Sequence, residues 1–244
     1  MNILRLFNLR TFLVLLVSQL AAFFVIQFQI KFHLDLLLFG LAIGFPLAFS
    51  IQAAFRRRER ALEYFSLFKA GTTALHYSFQ ISEGLPPEKK IEIRDLLDKM
   101  TNNLVHQLEQ HIASYQPMKS VLDKVFQFIE SNREGVSNRN IFRMIRYVRD
   151  ITESSTYLIS LVKHRTMIGL RFYSIAFIFI FPILQAPILY NRLGDLMPSW
   201  GLYLLLAFGS LILVTLSNFQ KMIEYPFDSK GMDNIHIRDF GLSD

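Results

Sequence analysis

Three side chains in the second apolar segment have the types and spacing to act on an ion: Leu41, Phe45 and Phe49. They recur every four residues, so on a helix they stack along one side. Such groups bind no metal and move no proton. They can, however, narrow a water path until it dewets. Phenylalanine ring edges carry partial positive charge, so rings presented edge-on can favour a weakly hydrated anion without a fixed cation. Strongly hydrated ions would be rejected because their desolvation is not repaid. The same spacing also describes a helix that faces lipid or a neighbouring helix. Gly40, Gly44 and Ala48 form a second stripe turned by about 100°, and small residues let membrane helices approach closely. Pro46 lies between the stripes. It cannot donate to the carbonyl of Ala42, so a kink is expected there.

Few other residues carry chemistry. Arg56, Arg57, Arg58 and Arg60 form a dense basic cluster directly after the apolar run. It reads either as an anchor on acidic lipid or as a vestibule that concentrates anions. The six histidines show no metal-ligand spacing with carboxylates. No glycine-rich phosphate loop, Walker lysine or nucleophile elbow is present, so no enzymatic constellation emerges and no cofactor or metal site is implied. The pair His164-Arg165 reads best as a solvated or head-group contact. A proton-coupled transporter would place an ionisable group at midplane. The only charge near the inside of an expected span is Arg171, close enough to its end to snorkel. The pattern favours a passive pathway or no transport at all.

The elements that position these residues follow from the distribution of apolar residues. The chain has 244 residues, 52% of them hydrophobic, with 24 Phe and no Cys. The apolar residues gather in two blocks near the ends, and most of the charge lies between. Segments of about 20 apolar residues can cross a bilayer. Four are expected: Thr11–Ile30, Leu36–Phe55, Met167–Tyr190 and Trp200–Phe219. The N-terminus is read as a retained surface segment with Arg5 and Arg10, because no cleavage site stands out. Gln19, Gln27 and Gln29 suggest that this side of the first span packs on protein. Pro182 and Pro187 fall near the outer end of the third span.

Between the blocks the pattern is helical. The second span continues from Arg56 to Ile81 and stops at Gly84-Leu85-Pro86-Pro87. Glu88–Tyr115 follows, with apolar positions including Ile91, Ile93, Leu97, Leu104 and Ile112. Pro117 restarts a helix to Ile129. A loop with Ser137 as N-cap precedes a helix carrying Ile141, Ile145, Val148, Ile151 and Leu158. The net charge of +6 is explained by Lys and Arg on the cytoplasmic flanks of spans, not by nucleic acid. The two short turns contain only Lys31 and Arg192 as basic residues, which puts both termini inside. The expected domains are 1–55 (N-terminal segment and spans one and two), 56–165 (cytosolic helices), 166–219 (spans three and four) and 220–244 (cytosolic tail).

Two separated stretches resemble the bestrophin family, in its short bacterial-type branch. In the first, Phe49, Ala53, Phe55, Arg57, Arg60 and Ala61 fall on the family's spacing, with Arg60 at the usual Glu position and Ser50 at the usual Arg. The second, after span four, is carried by Glu224, Pro226, Phe227, Asp233 and Ile235, with Tyr225 and Asp228 as departures. The resemblance implies an all-α membrane protein with four spans and a helical cytosolic extension, assembled as a homopentamer around a central pore. It implies that span two lines a neck, with Leu41, Phe45 and Phe49 at the constrictions. Family members conduct chloride or other small ions, and bacterial ones can prefer cations. The animal members' calcium clasp needs a run of acids that Asp228, Lys230 and Asp233 do not reproduce, so calcium activation is not carried over.

The combined reading is a passive chloride or small-anion channel in the cell membrane, multi-pass, whose partners are its own copies, the ion and lipid. Gly40, Gly44, Pro46 and Ala48 would shape and pack the neck. Arg57 would brace its base, and Pro226 and Phe227 would dock the tail. The alternatives are a non-conducting scaffold whose cytosolic helices bind a partner, and a cation-selective channel of the same fold.

Overall fold

The computed structural model describes residues 8–33, 36–163, 168–194, 196–223 and Phe227. These are helical almost throughout: α1 Leu9–Phe28, α2 Leu36–Gln80, α3 Pro87–Glu109, α4 Gln116–Ser131, α5 Asn138–Lys163, α6 Ile168–Leu193 and α7 Ser199–Ile223. A short 3-10 turn, Arg133–Gly135, joins α4 to α5. The chain divides into two compact units. Unit 1 comprises Met1–Arg56 and Thr166–Tyr225, and unit 2 comprises Arg57–Arg165 and Pro226–Asp244. The long helix α2 contributes its first part to unit 1 and the rest to unit 2.

Among its described residues unit 1 holds three helices long and apolar enough to cross a membrane: Leu9–Phe28, Phe172–Leu193 and Ser199–Lys221. At about 1.5 Å per residue, twenty residues span the ~30 Å hydrocarbon core of a bilayer. The start of α1 at Leu9, ahead of the expected Thr11, follows from a capping box. The Asn8 side chain accepts from the Thr11 N–H at 3.1 Å, and the Thr11 hydroxyl accepts from the Asn8 N–H at 3.4 Å. The helix ends at Phe28, not Ile30. Gln29 turns left-handed at φ 48, and the Ile30 N–H closes back on the Val25 carbonyl at 3.1 Å.

One buried layer of unit 1 is Val14, Ile178 and Val214. Another is Ala22, Val25, Ala186, Leu202 and Leu206. Between the layers numbers rise along α1 and α6 and fall along α7, so α7 runs against the other two. Ser18 and Ser210, which fall between the layers in sequence, are fully buried. The Ser18 hydroxyl donates to the Leu15 carbonyl at 2.7 Å. Of the three glutamines expected to face protein, only Gln19 does so, donating to the Tyr203 carbonyl at 3.4 Å. Gln27 and Gln29 are exposed, because they lie off the buried Thr11–Val14–Ser18–Ala22–Val25 face.

Unit 2 is built around the second part of α2. Ala61, Phe65, Phe68, Leu75 and Phe79 point into a core shared with Ile93, Leu97, Met100, Leu104 and Leu108 of α3. Met118, Leu122, Val125 and Phe128 of α4, and Ile141, Met144, Ile151 and Leu158 of α5, complete it. Each such side chain contributes about 1.5–3 kcal/mol when fully buried. Phe79 meets Phe128 edge-on at 5.5 Å between ring centroids. Ile91, Ile112 and Ile145, expected in this core, are exposed instead; α3 settles on the Ile93–Leu97–Met100–Leu104–Leu108 stripe, and Met144 fills the place in α5.

Punctuation sets the helix ends. Pro86 precedes α3 and Pro87 starts it. The expected run to Tyr115 stops at Glu109, because His111 adopts φ 54. The Ile112 N–H then reaches the Gln107 carbonyl at 2.8 Å and the His111 N–H the Leu108 carbonyl at 3.3 Å, the Schellman pattern. Ser137 meets the α5 N-terminus, its Oγ 3.4 Å from the Asn140 N–H.

Two predictions follow from unit 2. A Cβ on Gly84 would lie 2.7 Å from the Gly135 carbonyl oxygen, backbone against backbone. Gly84→Ala is therefore expected to lower stability by about 1–3 kcal/mol, read as a drop in unfolding temperature in detergent; an unchanged temperature would contradict this packing. His76 supplies the second. Its Nδ1 is buried without a hydrogen-bond partner among the described residues. Burial pushes its imidazole below its ordinary value, the Arg94 charge adds to this, and Asp98 partly opposes it. A depressed histidine contributes full stability above its unfolded pKa of about 6.5 and loses it as pH falls through the folded value. His76→Gln should therefore flatten the loss of thermal stability between about pH 7 and 5, and parallel pH profiles for the two proteins would refute the assignment.

Candidate functional site

The residues singled out on α2 occupy the bare side of that helix. Leu47, Ser50 and Ala54 are buried, whereas Leu41, Phe45 and Phe49 are 42%, 56% and 62% exposed. A helix turns about 100° per residue, so Phe45 and Phe49 lie opposite Leu47. Their rings stack on each other, 6.1 Å apart and 18° from parallel. Gly40, Gly44 and Ala48 are exposed as well. A Cβ added at Gly40 or Gly44 would meet no atom within 4 Å. Neither stripe is covered by the chain's own described residues. Pro46 sits inside α2, half-buried. Ser50 is fully buried, its hydroxyl donating to the Leu47 carbonyl at 3.1 Å.

Below this face the basic cluster divides by partner. Arg57 donates from Nη2 to the carbonyl of Leu161. Leu161 lies in the last turn of α5, where carbonyls lack an intrahelical donor and the helix dipole favours a cation. Arg60 reaches the Tyr157 hydroxyl at 3.3 Å, and Tyr64 stacks on the Tyr157 ring at 3.8 Å and 15°. The bond to Tyr157 holds the Arg60 guanidinium above its ordinary pKa. Arg56 is exposed and Arg58 half-buried. The last two turns of α5 are thus gripped by the α2 segment 57–64. That grip was not legible in sequence, because its receptors are a backbone carbonyl and a tyrosine with no motif around it. Within unit 1, Phe55 and Phe219 lie 6.2 Å apart, tilted by 60°.

Of the tail, only Phe227 is described. It is buried and packs edge-on against Phe65 at 5.8 Å and 71°. Pro226, Glu224, Tyr225, Asp228, Lys230, Asp233 and Ile235 lie outside the described residues, as do Arg5, Asp35 and the pair His164-Arg165.

No protein-family profile matches the chain, and no curated protein sequence does. Solved structures do. A bacterial bestrophin homologue from Klebsiella pneumoniae matches with a TM-score of 0.75 at 19% identity, over 95% of this chain and 93% of that one. A single-substitution variant of it gives a TM-score of 0.77 at 16% identity, covering 94% and 92%. A structure described as a membrane protein matches at 0.75 and 17% identity, covering 95% and 93%. The chain therefore has the bestrophin-like fold: all-helical among its described residues, with three apolar helices of membrane-spanning length.

The Arg57 contact yields a measurable expectation. Arg57→Ala should cost about 1–3 kcal/mol, the worth of a hydrogen bond to a charged group. It should also speed amide hydrogen exchange at residues 158–163. Arg56→Ala, at an exposed neighbour, should stay within about 0.5 kcal/mol of the parent. Equal behaviour of the two variants would remove the special role given to Arg57.

Proposed function

We propose that this chain is a passive ion channel for chloride or another small, weakly hydrated anion, assembled as a homopentamer in the cell membrane. The observation that carries this reading is the bare aromatic face of α2: Phe45 and Phe49, stacked and more than half exposed, on a helix whose opposite side is packed. The bestrophin-like fold supports it.

In this reading the residues 36–55 of α2 are a fourth span beside the three apolar helices. Copies of it stand around a common axis with Leu41, Phe45 and Phe49 turned inward. An apolar ring of this kind gates by dewetting, and the edges of its aromatic rings select anions weakly. Gly40, Gly44 and Ala48 take the backbones of neighbouring α2 helices to close range, and Pro46 shapes the lining. Arg57 braces the base through the end of α5. Pro226 and Phe227 dock the tail, for which the burial of Phe227 against Phe65 is the support. Residues 1–55 and 166–219 form the membrane part, and 56–165 and 220–244 the cytosolic part. Both termini face the cytoplasm, because the turns at 31–35 and 191–200 hold only Lys31 and Arg192 as basic residues.

Purified protein in liposomes tests the reading. Phe45→Ala with Phe49→Ala should raise chloride flux about tenfold, the change that ~1.4 kcal/mol off a barrier produces. A mass in detergent equal to five copies should accompany it. Cation flux in its place would assign the neck to the opposite sign. No flux from either protein, with the pentamer intact, would favour the scaffold.

A further inference from the structure

Unit 1 contains a cation whose charge nothing described in it meets. Arg10 lies in the first turn of α1, half-buried. Its Nε and Nη2 atoms are buried and hydrogen-bond to no described residue. The first turn holds no acid, and the positive end of the helix dipole opposes a cation there. Arginine does not escape by losing its proton. A half-buried guanidinium with two unmet N–H groups carries a cost that a counter-anion at its open side offsets.

The surroundings narrow the source of that anion. The helix end is already closed by Asn8, whose side chain takes the Thr11 N–H, so the demand comes from the guanidinium itself. The Asn218 amide donates to the Thr11 hydroxyl at 3.1 Å. That bond sets the last turn of α7, with exposed Lys221, beside the first turn of α1. The described residues of unit 1 contain no Asp or Glu; its acids by sequence, Asp35, Asp195 and Glu224, lie outside them. The described part of this unit in a second copy therefore offers no carboxylate either. Leu9, Phe12 and Leu13 around Arg10 are 75%, 63% and 44% exposed, an apolar rim suited to acyl chains. The site thus stands at the end of two membrane-length helices, where lipid phosphates lie, and the remaining guanidinium nitrogen, Nη1, is not among the buried atoms and can donate to a phosphate oxygen.

We propose that Arg10 binds the phosphate of an anionic phospholipid, with Lys221 as a second cation at the same end of unit 1. The site is separate from the α2 face and does not depend on conduction. Native mass spectrometry of the full chain, titrated with phosphatidylglycerol or phosphatidylcholine, tests it. Arg10→Gln should weaken phosphatidylglycerol binding about tenfold, as expected for loss of a charge-assisted hydrogen bond. Arg10→Lys, which keeps the charge and replaces the guanidinium by an ammonium, should weaken it by less. Phosphatidylcholine binding should not respond to either. Wild-type affinity for phosphatidylglycerol in Arg10→Gln overturns the proposal. Displacement of the lipid by millimolar inorganic phosphate would assign the guanidinium to a soluble anion and overturn it too. So would a Glu224→Gln protein that, free of lipid, unfolds as early as Arg10→Gln, because Glu224 would then be the partner. If Arg10→Gln does not fold, an unchanged affinity in Arg10→Lys decides against the site.

Discussion

A helix can pack one side only if its buried residues keep phase with its turn, and α2 keeps that phase from Leu47 to Phe79. Leu47, Ser50, Ala54, Ala61, Phe65, Phe68, Thr72, Leu75 and Phe79 are buried at steps of three, four or seven residues. Every other feature of the helix follows from that seam. Phe45 and Phe49 lie opposite it. The arginines fall on its flanks, where Arg57 and Arg60 turn towards α5.

The second constraint is the fate of backbone groups at helix ends. In α1 and α3 the chain reverses through left-handed residues that are not glycine, Gln29 and His111. In α5 the last-turn carbonyl of Leu161 is met by a side chain from elsewhere, Arg57. In α1 the first amides are met by Asn8, which Asn218 ties to α7. The first two close a helix on itself, and the side-chain solutions join a terminus to a neighbouring helix.

These two constraints also explain what could be read in advance. Pro86, Pro87 and Pro117 mark helix starts by chemistry that needs no tertiary context, and α3 and α4 begin there. The continuation of α2 to Gln80 was legible from the lack of any breaker after Pro46. The ends at Gln29 and His111 were not, because a left-handed residue other than glycine leaves no compositional mark. Ile91 and Ile145 have the right type and nearly the right spacing, but neighbours one or two positions away took the core. For the α2 face, sequence supplied the two stripes and not their surroundings: leucine, phenylalanine and glycine at period four fit lipid, protein or water alike. The network of Asn8, Thr11 and Asn218 did leave a sign, an Asn three residues ahead of a Thr at the mouth of an apolar run.

The distribution of acids has one more consequence. With no carboxylate among their described residues, α1, α6 and α7 carry charge of one sign, from Arg10, Arg171, Arg192 and Lys221. The described part of the bundle therefore holds no internal counter-charge, and dissolved salt, by screening its helix ends, weakens their mutual repulsion.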